Sequence, residues 1–135
     1  MSIQWTEELS VHVKIIDEQH KHFIGIINSL YKAYEDLKIK NELASIVNEL
    51  VNYAGVHFST EEKYFDLFKY EGAAEHIEQH QLMTKKLLDY KKRLETDDLN
   101  ILAGEVMSFL EDWLVVHIEH YDQKYVECFT SHGLK

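Results

Sequence analysis

The sequence predicts an all-α protein, an up-down-up-down four-helix bundle with an extended N-terminal arm. The 135 residues include no proline and only five glycines. Proline interrupts helices but suits turns and sheet edges, so its absence favours long helices with short connections. Apolar residues recur at three- and four-residue steps, and no alternating pattern of useful length indicates a strand. Long amphipathic helices with short links are typical of antiparallel bundles.

The length favours a single domain over residues 1–135, large enough to bury a core without disulfides. No compositional break or low-complexity stretch divides the chain. We expect one arm followed by four helices, at about residues 1–16, 17–38, 42–68, 73–95 and 98–128.

The N-terminal segment mixes Trp5, Leu9 and Val11 with polar residues in no helical period, and we expect it to pack on the bundle as an arm. Periodicity begins at Asp17, which we interpret as an N-cap, although its carboxylate could instead accept a hydrogen bond from a buried imidazole. The stripe of the first helix comprises His20, Ile24, Ile27, Tyr31 and Tyr34.

The other three helices follow the same pattern. Asn41 and the run 96–98 provide candidate N-caps for the second and fourth helices, and residues 69–72 separate the second from the third. Their inward stripes contain, in chain order, Leu43, Ile46, Leu50, Tyr53, His57, Glu61 and Tyr64; His76, His80, Met83, Leu87 and Leu94; and Leu102, Val106, Trp113, His117 and Tyr121.

The composition argues against several functions. The chain has 14 basic and 24 acidic residues, and a surface this acidic repels nucleic-acid phosphates and anionic lipids. No apolar run is long enough to span a membrane, and the first residues do not resemble a secretory signal. A single cysteine, Cys128, is typical of a reducing compartment. We therefore expect a cytoplasmic protein that binds neither nucleic acid nor membranes.

The nine histidines are the unusual feature of the composition. Five of them lie on stripes that should form the core: His20, His57, His76, His80 and His117. A buried imidazole without a partner costs about 1–3 kcal/mol, and a shared metal centre removes that cost. His57 and Glu61 are four residues apart, as are His76 and His80, so each pair projects from one helix face.

Asp122 adds a second carboxylate near His117. The two are five residues apart, so they converge only if the helix is locally bulged or if they approach one centre from different sides. Five imidazoles and two carboxylates are too many donors for one tetrahedral zinc ion. With both carboxylates bridging and one bridging oxygen, they fill all but one position around two octahedral metals. The count predicts a dinuclear centre with one position open to a small ligand.

Four motifs carry these donors: IDEQH with His20, HFSTEE with His57 and Glu61, HIEQH with His76 and His80, and WLVVHIEHYD with His117 and Asp122. In this order and at these separations they resemble the hemerythrin family, most closely its single-domain bacterial members (bacteriohemerythrins). The resemblance spans nearly the whole chain.

This resemblance implies two non-haem iron ions with an oxo or hydroxo bridge, binding dioxygen reversibly. By the family pattern, His76, His80 and His117 hold one iron and His20 and His57 hold the other. Glu61 and Asp122 then bridge the two ions, and the iron on His20 and His57 is the five-coordinate one that meets oxygen.

The leading hypothesis is therefore a monomeric oxygen-binding protein for storage, delivery or buffering, which is not an enzyme and could serve an oxygen-consuming protein. Two alternatives stay open. One is a sensor of oxygen, nitric oxide or redox state, and the other is a di-iron enzyme that scavenges peroxide or nitric oxide. The chain has no Glu-x-x-His, the pair around which ferritin-like di-iron sites are built, and no metalloprotease His-Glu-x-x-His.

Residues near the expected ligands have two interpretations, a dry oxygen pocket or ordinary core. They are Phe23, Ile24, Phe58, Trp113 and Ile118. Four histidines outside the ligand set are expected to be solvated: His12, His22, His120 and His132.

Overall fold

A computed structural model describes residues 2–135 and shows four long helical segments, here called rods. Residue 1, which the expected arm also includes, lies outside the described residues. Each rod packs against its neighbours in the chain, and the first packs on the fourth. No strand occurs within residues 2–135, and the predicted up-down-up-down bundle is confirmed. The helices of the first three rods are α1 (Lys14–Glu35), α2 (Ile39–Leu67) and α3 (Ala73–Arg93).

The fourth rod changes its winding along its length. It starts as α4 (Leu99–Asp112), continues as a π-helix (Trp113–Tyr121) and a 3₁₀ turn (Asp122–Tyr125), and ends as α5 (Val126–Ser131). The carboxylate of Asp98 caps α4 by accepting a hydrogen bond from the Ile101 N–H. No helix in the described chain is both long and apolar enough to cross a membrane.

Two of the short links have their second residue in the left-handed conformation. Leu37 has φ 57°, and the next N–H, that of Lys38, reaches back 2.8 Å to the Ala33 carbonyl. Lys69 has φ 53° and the Tyr70 N–H bonds the Phe65 carbonyl in the same way. These hydrogen bonds satisfy carbonyls at the ends of α1 and α2, a role that glycine usually makes easier.

Two helix starts differ from the expected ones. α1 begins at Lys14, three residues before the expected start, so Asp17 lies in its first turn and is not its N-cap. α2 begins at Ile39, so Asn41 likewise lies inside the first turn. Neither helix has a side-chain cap; the backbone of Val13 and Lys38 starts them instead. Cap preference therefore predicted the wrong residue in both cases.

Asp17 holds the arm to α1. Its Oδ2 accepts a hydrogen bond from the Ser10 hydroxyl at 2.6 Å, and its Oδ1 accepts one from the Val11 N–H at 2.8 Å. Farther out, the Ile3 N–H and carbonyl both bond the side-chain amide of Asn28, at 2.8 and 2.9 Å. The arm, which contains a 3₁₀ turn over Glu7–Leu9, is thus fastened to α1 by two side chains of that helix.

The apolar core has two parts. The larger runs along all four rods, and the smaller joins the arm to the end of the fourth rod. The smaller part consists of Val11, Val13, Ile16, Phe65, Tyr125 and Phe129. Phe58 of the larger part stacks on His80, while Phe65 of the smaller part lies against His76. A polar cluster therefore contacts both parts.

We expect Asp17→Ala to lower the free energy of unfolding by about 1–3 kcal/mol, because it leaves the Ser10 hydroxyl and the Val11 N–H without their acceptor. Chemical denaturation of the purified protein measures the change. Glu18→Ala is the matched control, since Glu18 is exposed and pairs with Lys21 on the helix surface. Equal stability of Asp17→Ala and Glu18→Ala would show that these hydrogen bonds do not hold the arm.

Candidate metal centre

Seven ionisable side chains meet in the middle of the bundle, and none is more than 3% exposed. They are His20, His57, Glu61, His76, His80, His117 and Asp122. Their ligand atoms fall into two groups, each within 4.8 Å. Glu61 with His76, His80 and His117 forms one group, and His20 with His57, Glu61 and Asp122 forms the other. The structure thus brings together all seven side chains that the sequence analysis proposed as metal ligands.

All four rods contribute side chains to the cluster, and where a rod contributes two, the type of helix sets the number of residues between them. α1 supplies one imidazole, whereas α2 and α3 each supply two side chains four residues apart, which lie on one face of an α-helix. On the fourth rod the Asp122 N–H donates to the carbonyl of His117, five residues earlier, as in a π-helix. The wider turn places Asp122 Oδ1 3.1 Å from His117 Nε2, so a local bulge is present, which is the first of the two alternatives that the spacing left open.

The carboxylate of Asp122 spans the two groups. Its Oδ1 lies 3.0 Å from Nε2 of His76, and its Oδ2 lies 3.0 Å from Nε2 of His20. Glu61 presents a single oxygen to both sides, because its Oε1 is 3.4 Å from Nε2 of His57 and 3.0 Å from Nε2 of His80. Each carboxylate therefore faces imidazoles of both groups.

Most of these facing atoms are close together but make no hydrogen bond within the described chain. They are Nε2 of His20, His76, His80 and His117, Oε1 of Glu61 and both carboxylate oxygens of Asp122. Leaving so many buried donors and acceptors unpaired would cost about 1–3 kcal/mol each. Metal ions satisfy all of them at once, since imidazole nitrogen and carboxylate oxygen are both good ligands for iron. The cluster is suited to binding two iron ions.

Three of the imidazoles are oriented by side chains on a different rod. Nδ1 of His57 lies 2.7 Å from Gln19 Oε1, Nδ1 of His80 lies 2.8 Å from Glu62 Oε2, and Nδ1 of His117 lies 2.8 Å from Gln79 Oε1. Because the facing atoms are amide or carboxylate oxygens, each Nδ1 donates its hydrogen. Each Nε2 is then left with a lone pair directed at the cluster.

Sequence analysis missed the three orienting residues, Gln19, Glu62 and Gln79, which follow one pattern. Each sits next to a cluster residue on its own helix and bonds the imidazole of the following rod: α1 to α2, α2 to α3, and α3 to the π-helix. The amide of Gln19 is itself held by a hydrogen bond from its Nε2 to the Thr60 hydroxyl, at 3.0 Å. A polar residue directly beside a ligand was the available signal.

Aromatic rings cover the imidazoles. Phe58 stacks on His80 and Trp113 on His117, both with ring centroids 3.9 Å apart. These two residues, expected in either a dry pocket or ordinary core, thus contact cluster imidazoles directly. The hydroxyl of Tyr125 donates a hydrogen bond to Glu61 Oε2, a contact that the sequence did not reveal because Tyr125 lies beyond the change in winding.

The electrostatics of the cluster favour anionic carboxylates. Burial and Asp122 favour the protonated form of Glu61, but the facing imidazoles outweigh them and lower its pKa. Burial lowers the pKa of His57 to about 4, so that imidazole is neutral near pH 7. Burial acts in the same direction on His76, but the two carboxylates outweigh it and raise its pKa to about 9. A metal ion entering the cluster would therefore displace a proton from His76.

The remaining histidines take no part in the cluster. His12, His22, His120 and His132 are all exposed, as the sequence predicted. His22 lies 3.6 Å from the carboxylate of Glu49, and His132 stacks on the ring of Phe68. For His22 and His120, which lie within helices, the periodicity thus separated outward from inward histidines correctly.

Comparisons with known proteins agree with this geometry. The hemerythrin HHE cation binding domain matches residues 11–129. A bacteriohemerythrin of Stenotrophomonas maltophilia is 27% identical over 95% of this chain and 82% of its own length. A myohemerythrin of Sipunculus nudus is 28% identical over 90% of this chain and 88% of its own. The crystal structure of a wild-type hemerythrin has a TM-score of 0.80 at 26% identity, covering 93% of this chain and 96% of that one.

Metal content should depend on how many groups a side chain belongs to. His57 belongs to one group and Glu61 to both. We expect about two iron ions per chain in the wild type, about one in His57→Ala and almost none in Glu61→Ala, because metal binding requires the full donor set of each group. Metal analysis after reconstitution measures this.

The matched control for metal content is His22→Ala, which removes an exposed histidine of the same rod as His20 and should leave the iron content at the wild-type value. Undiminished iron in both His57→Ala and Glu61→Ala would contradict the assignment of the two groups.

The orienting residues should matter for affinity without being ligands. Gln79→Ala removes the acceptor of the His117 Nδ1–H, and loss of such an outer partner typically weakens metal binding by about 10–100-fold. Competition with a chelator measures the change, and Glu78→Ala, the exposed neighbour on the same helix, is the control. Unchanged affinity in Gln79→Ala would mean that packing alone orients His117.

Proposed function

This chain belongs to the hemerythrin family, and we propose that it binds dioxygen reversibly at a di-iron centre formed by the seven clustered side chains. In this assignment His76, His80 and His117 hold one iron, and His20 and His57 hold the other. Glu61 and Asp122 bridge the two ions. The supporting observation is the burial of these donors in two overlapping groups, with most of the facing atoms unpaired.

The unequal number of imidazoles supports a place for dioxygen. One iron is offered three imidazoles and the other two, while both carboxylates face both sides. With one further bridging oxygen, the donors would fill the first iron and would leave one position open at the second. We therefore assign oxygen binding to the iron held by His20 and His57. When bound, two ferrous ions supply the electrons for reversible attachment of dioxygen.

The chain's own side chains favour reversibility. Phe58 and Trp113 stack on His80 and His117, imidazoles of the other iron, and these apolar rings lower the polarity of the surroundings of the centre. The hydrogen bonds from Nδ1 of three imidazoles fix their orientation, so little rearrangement accompanies binding. Tyr125 donates to Glu61 and stabilises that carboxylate in its anionic form.

The balance of ligands favours oxygen binding over oxidative catalysis. Five imidazoles, which are neutral once they hold metal, and two carboxylates would place little negative charge around the ions, whereas carboxylate-rich sites favour high-valent iron. We therefore infer a role in oxygen storage, delivery or buffering, in the cytoplasm and as a monomer, with an oxygen-consuming protein as recipient. Because dioxygen is small, its binding at the cluster does not require a large substrate pocket.

Reversibility is the property to measure. Reconstituted anaerobically with ferrous iron, the protein should be pale, develop a visible absorption band in oxygen and lose it again under vacuum, because dioxygen leaves without net oxidation. Repeated cycles followed by visible spectroscopy check this, with Glu61→Ala as the metal-poor control. A colour that never reverses, or sustained oxygen consumption with added reductant, would show that the protein is not an oxygen carrier. An oxidase or scavenging function would then be the better explanation.

A further inference from the structure

Tyr53 has a buried hydroxyl that the assignment above does not use. The residue is 4% exposed, and its hydroxyl makes no hydrogen bond within the described chain. Leaving a buried hydroxyl unpaired costs about 1–3 kcal/mol, so such a group usually has a partner that the protein alone does not supply. The question is what that partner is.

The ring of Tyr53 is held firmly beside the candidate metal centre. It lies one turn before His57 on α2 and stacks on that imidazole, with centroids 5.3 Å apart and planes 12° from parallel. Phe23 covers the ring at 5.4 Å, and His22 contacts it edge-on. Because three rings restrain the side chain, the direction of its hydroxyl is fixed.

The hydroxyl of Tyr53 is a phenol, which is protonated at about pH 7 and can donate a hydrogen bond. Neither Glu61 nor Asp122 accepts it, and Glu61 Oε2 already accepts the hydroxyl of Tyr125. Tyr53 is thus an unused hydrogen-bond donor beside His57, which we assign to the iron with fewer imidazoles.

A surface pocket lies against Tyr53 and His57. Its volume is about 190 Å³, and it lies between α1 and α2. Tyr53 and His57 are its buried residues, while the exposed side chains of Asn52 and Val56 contribute to its walls. This space is large enough for a diatomic or triatomic ligand and adjoins the side of the cluster that we assign to oxygen.

We propose that Tyr53 is a ligand-binding residue whose hydroxyl donates a hydrogen bond to the small ligand on the iron held by His20 and His57. This inference rests on the proposed function, since it requires a ligand at that iron. A phenol donor stabilises ligands that carry negative charge, such as azide or dioxygen that has accepted electrons from iron. The same donor adds little stability to a bound neutral ligand that accepts hydrogen bonds poorly.

Azide titration of the oxidised di-iron protein tests this role. We expect Tyr53→Phe to weaken azide binding by about tenfold, the usual effect of losing one hydrogen bond to a charged group. We also expect faster decay of the oxygenated protein to the oxidised state. The matched control is Tyr90→Phe, because Tyr90 is equally buried in the bundle but contacts Phe109 rather than the cluster.

Thermal unfolding of the metal-free proteins separates ligand binding from a structural role. Tyr53→Phe removes an unpaired hydroxyl and should unfold at the same temperature as the wild type or higher. Equal azide affinities of Tyr53→Phe and wild type, an equal loss in Tyr90→Phe, or a large drop in the unfolding temperature of Tyr53→Phe would each overturn the proposal. A wild type that holds no iron, or holds iron but binds no azide, would instead show that the proposed function itself is wrong.

Discussion

The burial of seven ionisable side chains at the centre of a small bundle is the constraint on which the rest of the structure depends. Each such group loses its hydration on folding and must regain partners inside the protein. Only part of this compensation comes from the chain itself, through the acceptors of three Nδ1–H groups and the hydroxyl of Tyr125. Metal ions would satisfy the remaining donors and acceptors, and their binding would stabilise the folded chain.

The same constraint explains why the apolar residues are arranged as they are. Two core clusters lie on either side of the polar centre, and rings from both of them contact its imidazoles. These clusters bury apolar side chains, which stabilises the fold, while the centre holds donors that lack partners within the described chain. The arm contributes Val11 and Val13 to the smaller cluster, and Asp17 fastens it there.

The sequence predicted the fold and the seven clustered residues well, because helical spacing determines which residues share a face. It failed where contacts depend on how neighbouring helices are rotated: Gln19, Glu62 and Gln79 orient imidazoles of other rods. It also assigned caps to Asp17 and Asn41, although α1 and α2 begin without side-chain caps. Tyr53 was correctly placed on an inward stripe, but only the three-dimensional arrangement shows that its hydroxyl lacks a partner.

The π-helix of the fourth rod has a consequence beyond bringing His117 and Asp122 together. A π turn holds more residues than an α turn, so the helix after it is out of phase with the helix before it. An uninterrupted α-helix would keep one apolar stripe in one direction along its whole length. Here the phase shift turns Tyr125 and Phe129 towards the smaller core cluster, while Leu110 and Leu114 remain in the larger. The fourth rod therefore behaves as two helices of different register joined end to end, with His117 and Asp122 of the candidate metal centre at the change of register.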